Sequence, residues 1–152
     1  DLLRHRKETL AIAESCTGGG IGAALTAVPG SSDVFLGGVI AYQNSIKKEL
    51  LNVPENLINE YGAVSAQVVE SMAEGVLNRF SADWAIAVSG LAGPGGGTDL
   101  KPIGLVQFAV KGPLEVHSSP EQFNPQIGRS GIQKLSVLKA LNQLRLFLLN
   151  KS

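Results

Sequence analysis

A serine, a tyrosine and a lysine at three points along the chain could together cut an acyl bond without a histidine. Ser15 lies in Glu14-Ser15-Cys16-Thr17-Gly18-Gly19-Gly20, where a short apolar run stops and small residues begin. A serine on such a strand-to-helix turn is exposed for attack, and the helix start beside it can stabilise an anion. Tyr42 and Lys47 belong to Tyr42-Gln43-Asn44-Ser45-Ile46-Lys47, with the lysine just over one helical turn beyond the tyrosine. A desolvated lysine can take a proton from a serine hydroxyl, and a tyrosine beside it can relay one. The two histidines, His5 in a charged leading segment and His117 on a predicted hairpin strand, are poorly placed for a Ser-His-Asp triad. Each residue also has an ordinary reading: Ser15 or Thr17 as a helix cap, Tyr42 as a half-buried strand aromatic, Lys47 as a solvated helix residue.

A third segment, Ser89-Gly90-Leu91-Ala92-Gly93-Pro94-Gly95-Gly96-Gly97-Thr98, presents backbone N–H groups with little side-chain bulk, which suits wrapping a phosphate or serves as a plain connection. Lys101 and Arg129 could add positive charge for an anionic ligand. Cys16 is expected to be partly buried and inert. The run Gly18-Gly19-Gly20-Ile21-Gly22-Ala23 matches a dinucleotide fingerprint by letter. Its context is wrong, because three residues precede the first glycine after the strand and no acidic residue ends the next one, about 20 positions on.

The elements that must position these groups follow from pattern. Thr9 to Glu14, Phe35 to Tyr42 and Trp84 to Ser89 read as strands; Thr17 to Ala27, Asn44 to Leu51, Pro54 to Glu60 and a segment capped by Ser65 read as helices. Ile103 to Val110 and Leu114 to Ser118 predict an antiparallel hairpin, and Ser119 to Ile127, with two prolines, an irregular stretch. Ile132, Leu135, Leu138, Leu141, Leu144 and Leu148 trace the buried face of a long C-terminal helix, with Lys134, Lys139 and Arg145 off that stripe. Strand–helix alternation followed by a hairpin implies one α/β domain over residues 1–152, three-layered α/β/α with a mixed, partly parallel sheet. Ligands in such sheets bind beyond the strand carboxyl ends, where the loops after Glu14, Tyr42 and Ser89 converge.

Composition narrows the classes further. With 13 basic and 13 acidic residues the net charge is zero, so there is no global field to attract nucleic acid or an anionic membrane. A hydrophobic content of 44% against 17% charged is that of a globular chain. One cysteine precludes an internal disulfide and suits a reducing cytoplasm; no structural metal site is expected. No apolar run nears the roughly 18 residues needed to span a bilayer, and the first residues lack a signal-peptide core. The start at Asp1 rather than Met reads as either a trimmed end or a piece of a longer chain with domains upstream.

Taken together, Ala13 to Gly19 (AESCTGG), Gly37 to Lys47 (GGVIAYQNSIK), Tyr61 to Ser65 (YGAVS) and Ser89 to Thr98 (SGLAGPGGGT) resemble the CinA C-terminal domain family over nearly the whole chain. That resemblance implies a cytoplasmic nicotinamide mononucleotide deamidase, forming nicotinate mononucleotide and ammonia without metal or cofactor. It implies Ser15 as nucleophile, Lys47 as base and Tyr42 as third member, in a homo-oligomer with a small nucleotide substrate and no nucleic-acid or membrane partner. Thr17, Gly18 and Gly19 fall in the binding turn, and Ser89, Gly90, Ala92, Gly93, Gly96, Thr98 and Arg129 around the ligand. The chain departs from the family pattern in having Ser89 where Thr is usual and Gly128 where an Asp usually precedes the arginine. The alternative is a non-catalytic nucleotide-binding or competence and damage-response accessory module.

Overall fold

The computed structural model describes residues 1–150; the last two residues of the expected domain lie outside the described residues. A short helix α1 (Leu2–Arg6) leads into β1 (Leu10–Glu14) and α2 (Gly20–Thr26), then β2 (Phe35–Ile40), α3 (Asn44–Leu51), α4 (Glu55–Tyr61) and α5 (Ala66–Phe80). β3 (Trp84–Gly90), β4 (Leu105–Lys111) and β5 (Val116–Gln122) follow, and α6 (Gly128–Asn150) closes the fold. The sheet runs β2-β1-β3-β4-β5, with β1 parallel to both β2 and β3 and the last two strands antiparallel. The carboxyl ends of β1, β2, β3 and β5 therefore share one end of the sheet with the start of β4.

The period of two along each strand sorts large and small side chains to opposite faces. Leu10, Ile12, Trp84, Ile86, Val88, Val106, Phe108 and Val110 face one layer, where Ile132, Ala140, Leu144 and Leu148 of α6 complete the core. Ala11, Ala13, Ala85, Ala87 and Ala109 face the other, against Val68, Val69, Met72 and Val76 of α5. Alanines bring α5 close to the sheet, so its fully buried valines and methionine each contribute about 1.5–3 kcal/mol by leaving water. Gly75 extends the same economy of space: a Cβ there would stand 1.9 Å from the Leu51 carbonyl oxygen at the end of α3. Ser65 caps α5 by accepting a hydrogen bond from the Val68 N–H at 3.2 Å, as the sequence predicts.

Two expectations need correction. The stretch Ser119 to Ile127 is not irregular throughout, because β5 continues to Gln122 and carries Pro120 within it. β5 is the outermost strand, where a missing N–H removes no ladder bond on the solvent side. Ser118 bonds Glu70 of α5, and Lys139 of α6 pairs with Glu121 at 2.7 Å, so this polar strand is clamped from both layers. On α6 the buried line is Ile132, Ser136, Ala140, Leu144 and Leu148, a strict i, i+4 row. Leu135 and Leu138 face solvent instead, and Leu141 lies at the core margin. A helix rich in leucine all round gives no single stripe; packing against the large-residue face of the sheet selects the row that includes small Ser136 and Ala140. Among the described residues no helix is long and apolar enough to cross a membrane.

Candidate active site

β1 ends at Glu14, and the chain turns at once. The Ser15 N–H still bonds the Val88 carbonyl of β3 at 3.0 Å, which holds the turn at the sheet end. Gly18 (φ 58) and Gly19 (φ 101) then adopt left-handed conformations that side chains resist, so α2 begins only at Gly20, three residues later than expected. The α2 start is not left open for an anion. The buried Glu14 carboxylate occupies it, accepting from the Ile21 N–H at 2.9 Å, the Gly22 N–H at 3.1 Å and the Thr17 hydroxyl at 2.5 Å. Neither Ser15 nor Thr17 caps the helix; the strand-terminal glutamate does. The Thr17 N–H bonds no backbone carbonyl among the described residues and the Cys16 N–H meets its own sulfur, and these are the donors beside Ser15 that a ligand could use.

Lys47 reaches the same point from α3. Its side chain is 1% exposed, one of the largest fully buried groups in the protein. The Nζ atom lies 3.3 Å from Ser15 Oγ, 2.8 Å from the Ala41 carbonyl and 3.3 Å from the Tyr42 carbonyl. Burial holds its pKa below the ordinary lysine value. When neutral, the amine can donate its two hydrogens to the carbonyls and turn its lone pair to the Ser15 O–H. Cys16 is buried as expected, and burial pushes its thiol up to about 12, which leaves no thiolate at neutral pH.

Ser15 and Lys47 line a cavity of about 250 Å³ together with Tyr42, Ser89, Gly90, Ala92, Gly93 and Arg129. The Ser89 hydroxyl donates to the Ala63 carbonyl at 2.8 Å, tying the end of β3 to the segment before α5. Arg129 enters from the first turn of α6 and donates to the Gly93 carbonyl and to the Tyr42 hydroxyl, both at 2.7 Å. The glycine at 128 thus leaves Arg129 directed at the site, with two partners of its own. Tyr42 sits just past β2 and is 55% exposed; its phenol rests on Arg129, while only its backbone carbonyl meets Lys47.

Other expected site residues contribute no side chain to the cavity lining. Thr17 points down to Glu14, Gly18 and Gly19 shape the turn, and Gly96 and Thr98 belong to the outer part of the glycine loop. There the Thr98 hydroxyl accepts from the Lys101 N–H at 3.1 Å, and the Lys101 ammonium is spent on the Tyr61 carbonyl. Sequence reasoning missed Asn44, Ala63, Val64, Leu91 and Gly95 in the lining, and Glu14 beneath it. Glu14 left one signal, an acidic residue ending an otherwise apolar strand.

Comparison with known proteins agrees with this architecture. The model of the CinA C-terminal domain matches residues 1–148. A CinA-like protein of Prochlorococcus marinus (strain MIT 9313) is 60% identical over 152 residues, all of this chain but 35% of that relative. Another from strain NATL2A is 62% identical over 145 residues, 95% of this chain and 34% of the relative. The chain thus spans about a third of the length of these curated relatives. Among solved structures, the competence/damage inducible protein CihA from Agrobacterium tumefaciens superposes with a TM-score of 0.92 at 40% identity, covering 96% of this chain and 88% of that one. A CinA superfamily protein from Klebsiella pneumoniae 700603 gives 0.93 at 33% identity, covering 98% and 92%. A CinA-type fold and a CinA-type sequence coincide along nearly its whole length, and the chain belongs to the CinA C-terminal domain family.

Proposed function

We propose that this domain hydrolyses the carboxamide of nicotinamide mononucleotide, giving nicotinate mononucleotide and ammonia. The observation that carries the reading is the buried lysine amine 3.3 Å from a serine hydroxyl at an open cavity. Neutral Lys47 takes the Ser15 proton as Oγ attacks the amide carbon. The C–N bond then breaks, and the Lys47 ammonium returns the proton to the departing nitrogen, which leaves as ammonia. Water attacks the acyl-enzyme, gives its proton to Lys47, and the acid departs as Ser15 recovers its hydrogen. The Cys16 and Thr17 N–H groups are the candidates to hold the oxyanion, at about 3 kcal/mol for a well-placed donor. The small cavity suits the ring and amide, with the phosphate carried toward Arg129 and the glycine loop.

Incubation with nicotinamide mononucleotide is expected to release ammonia and the acid in equal amounts; absence of both from pH 6 to 9 overturns the reading. The rate is expected to rise with pH. Below its depressed pKa Lys47 is an ammonium without a lone pair, and it becomes a base as pH passes upward through that value. A rate flat with pH removes Lys47 as the titrating base.

Tyr42→Phe is expected to lower turnover by on the order of 10- to 1000-fold if the phenol moves protons. The structure adds a second expectation. Because the hydroxyl rests on Arg129, the loss should include weaker substrate binding, read as a higher KM. Lys134→Ala, on the exposed side of α6, serves as control and should leave both parameters unchanged.

The placement of Tyr42 on Arg129 rather than on the Ser15–Lys47 pair also supports a second reading, a nucleotide-binding accessory without turnover. Heat of binding for nicotinamide mononucleotide with no ammonia released would favour it.

A further inference from the structure

The Ser15 turn is held by two side chains that no catalytic role accounts for. Glu14 is 1% exposed and no lysine or arginine pairs with it among the described residues. A buried carboxylate so placed is costly unless its lone pairs are satisfied, and here the N–H groups of Ile21 and Gly22 and the hydroxyl of Thr17 do that. The second hold comes from α6: Gln133 Nε2 donates to the Cys16 carbonyl at 3.0 Å across 117 positions of sequence. A peptide is planar and trans, so fixing the Cys16 carbonyl also fixes the Thr17 N–H, which points the opposite way. Thr17 is thus gripped at its side chain by Glu14 and at its preceding peptide by Gln133. Between them they set the direction of an N–H that has no partner of its own.

We infer that Glu14 and Gln133 are positioning residues that orient the Cys16–Thr17 peptide as an oxyanion donor for Ser15, Glu14 being the stronger. The inference rests on the acyl-enzyme reading above. Glu14 never reaches the substrate; its carboxylate fills the α2 start and pulls Thr17 downward. Glu14→Gln keeps the shape but sets an amide N–H₂ against a row of donors, and the turn relaxes. A displacement of about 1 Å in such a donor costs on the order of 100-fold in rate.

The experiment measures kcat and KM for ammonia release, and the rate at which a serine-directed fluorophosphonate labels Ser15, in the wild type, Glu14→Gln, Thr17→Val, Thr17→Ser and Gln133→Ala. The expected result is a fall in kcat on the order of 100-fold for Glu14→Gln with KM within about 3-fold. Thr17→Val should follow in the same direction, Thr17→Ser should restore most of the rate, and Gln133→Ala should show a smaller loss. Labelling should slow in parallel, since the phosphonyl oxygen needs the same donors. A wild type that neither releases ammonia nor takes the label defeats the acyl-enzyme reading and this inference with it. A wild type that reacts while folded Glu14→Gln reacts equally fast overturns the inference alone. Should Glu14→Gln fail to fold, Thr17→Val and Gln133→Ala carry the test, and wild-type kcat in both overturns it.

Discussion

Ser15→Ala is expected to leave no ammonia release above background while nicotinamide mononucleotide still binds. The substitution removes one oxygen from a residue that is 7% exposed, and its backbone N–H keeps the bond to Val88 that anchors the turn. Arg129, the glycine loop and Ser89 are untouched, so titration calorimetry should return an affinity within a few-fold of wild type. The rate loss is that of the attacking atom itself, several orders of magnitude for a covalent mechanism. Full deamidation by a folded Ser15→Ala protein would mean that water, not serine, attacks.

Lys47→Met is expected to reduce turnover by on the order of 100- to 10,000-fold, the usual worth of a general base. It should also change how stability depends on pH. Lys47 has a lower pKa folded than unfolded, so the unfolded chain binds the extra proton. The cost of burying it is complete below the folded pKa and fades as pH rises toward the unfolded value near 10.4. Methionine carries no such cost at any pH, although it leaves the Ala41 carbonyl, within a fully buried residue, without its 2.8 Å donor, at about 1–3 kcal/mol. That second effect does not vary with pH. The difference in melting midpoint, variant minus wild type, should therefore be more positive at pH 7 than at pH 10. A difference that stays constant would show that Lys47 is charged throughout.

Much of this site was legible because its parts lie where pattern changes. The ends of β1, β2 and β3 were marked by apolar runs stopping at Glu14, near Tyr42 and at Ser89, and parallel pairing brings those ends together. The hidden parts depended on side-chain direction. Nothing in the local spacing told that Thr17 turns down to a glutamate, that the tyrosine hydroxyl lies on an arginine 87 positions later, or that Gln133 reaches Cys16. The buried row of α6 was misread for the same reason: leucines surround that helix, and only the shape of the sheet beneath selects among them. Pro120 was read as a breaker because an edge strand can be recognised only once the strand order is known.

The long reach from α6 back to the first turn has a consequence in the order of synthesis. A chain emerging amino-terminus first has Ser15 and Lys47, 32 positions apart, well before Arg129 and Gln133 exist. Until α6 arrives, the large-residue face of the sheet has Leu3 of α1 and Ile21 of α2 on it but lacks Ile132, Ala140, Leu144 and Leu148, the Cys16 carbonyl has no Gln133 to hold it, and Tyr42 has no Arg129. The finished constellation is thus timed to α6, the last element described in this domain, and a chain cut before α6 carries the reactive pair without the parts that orient it.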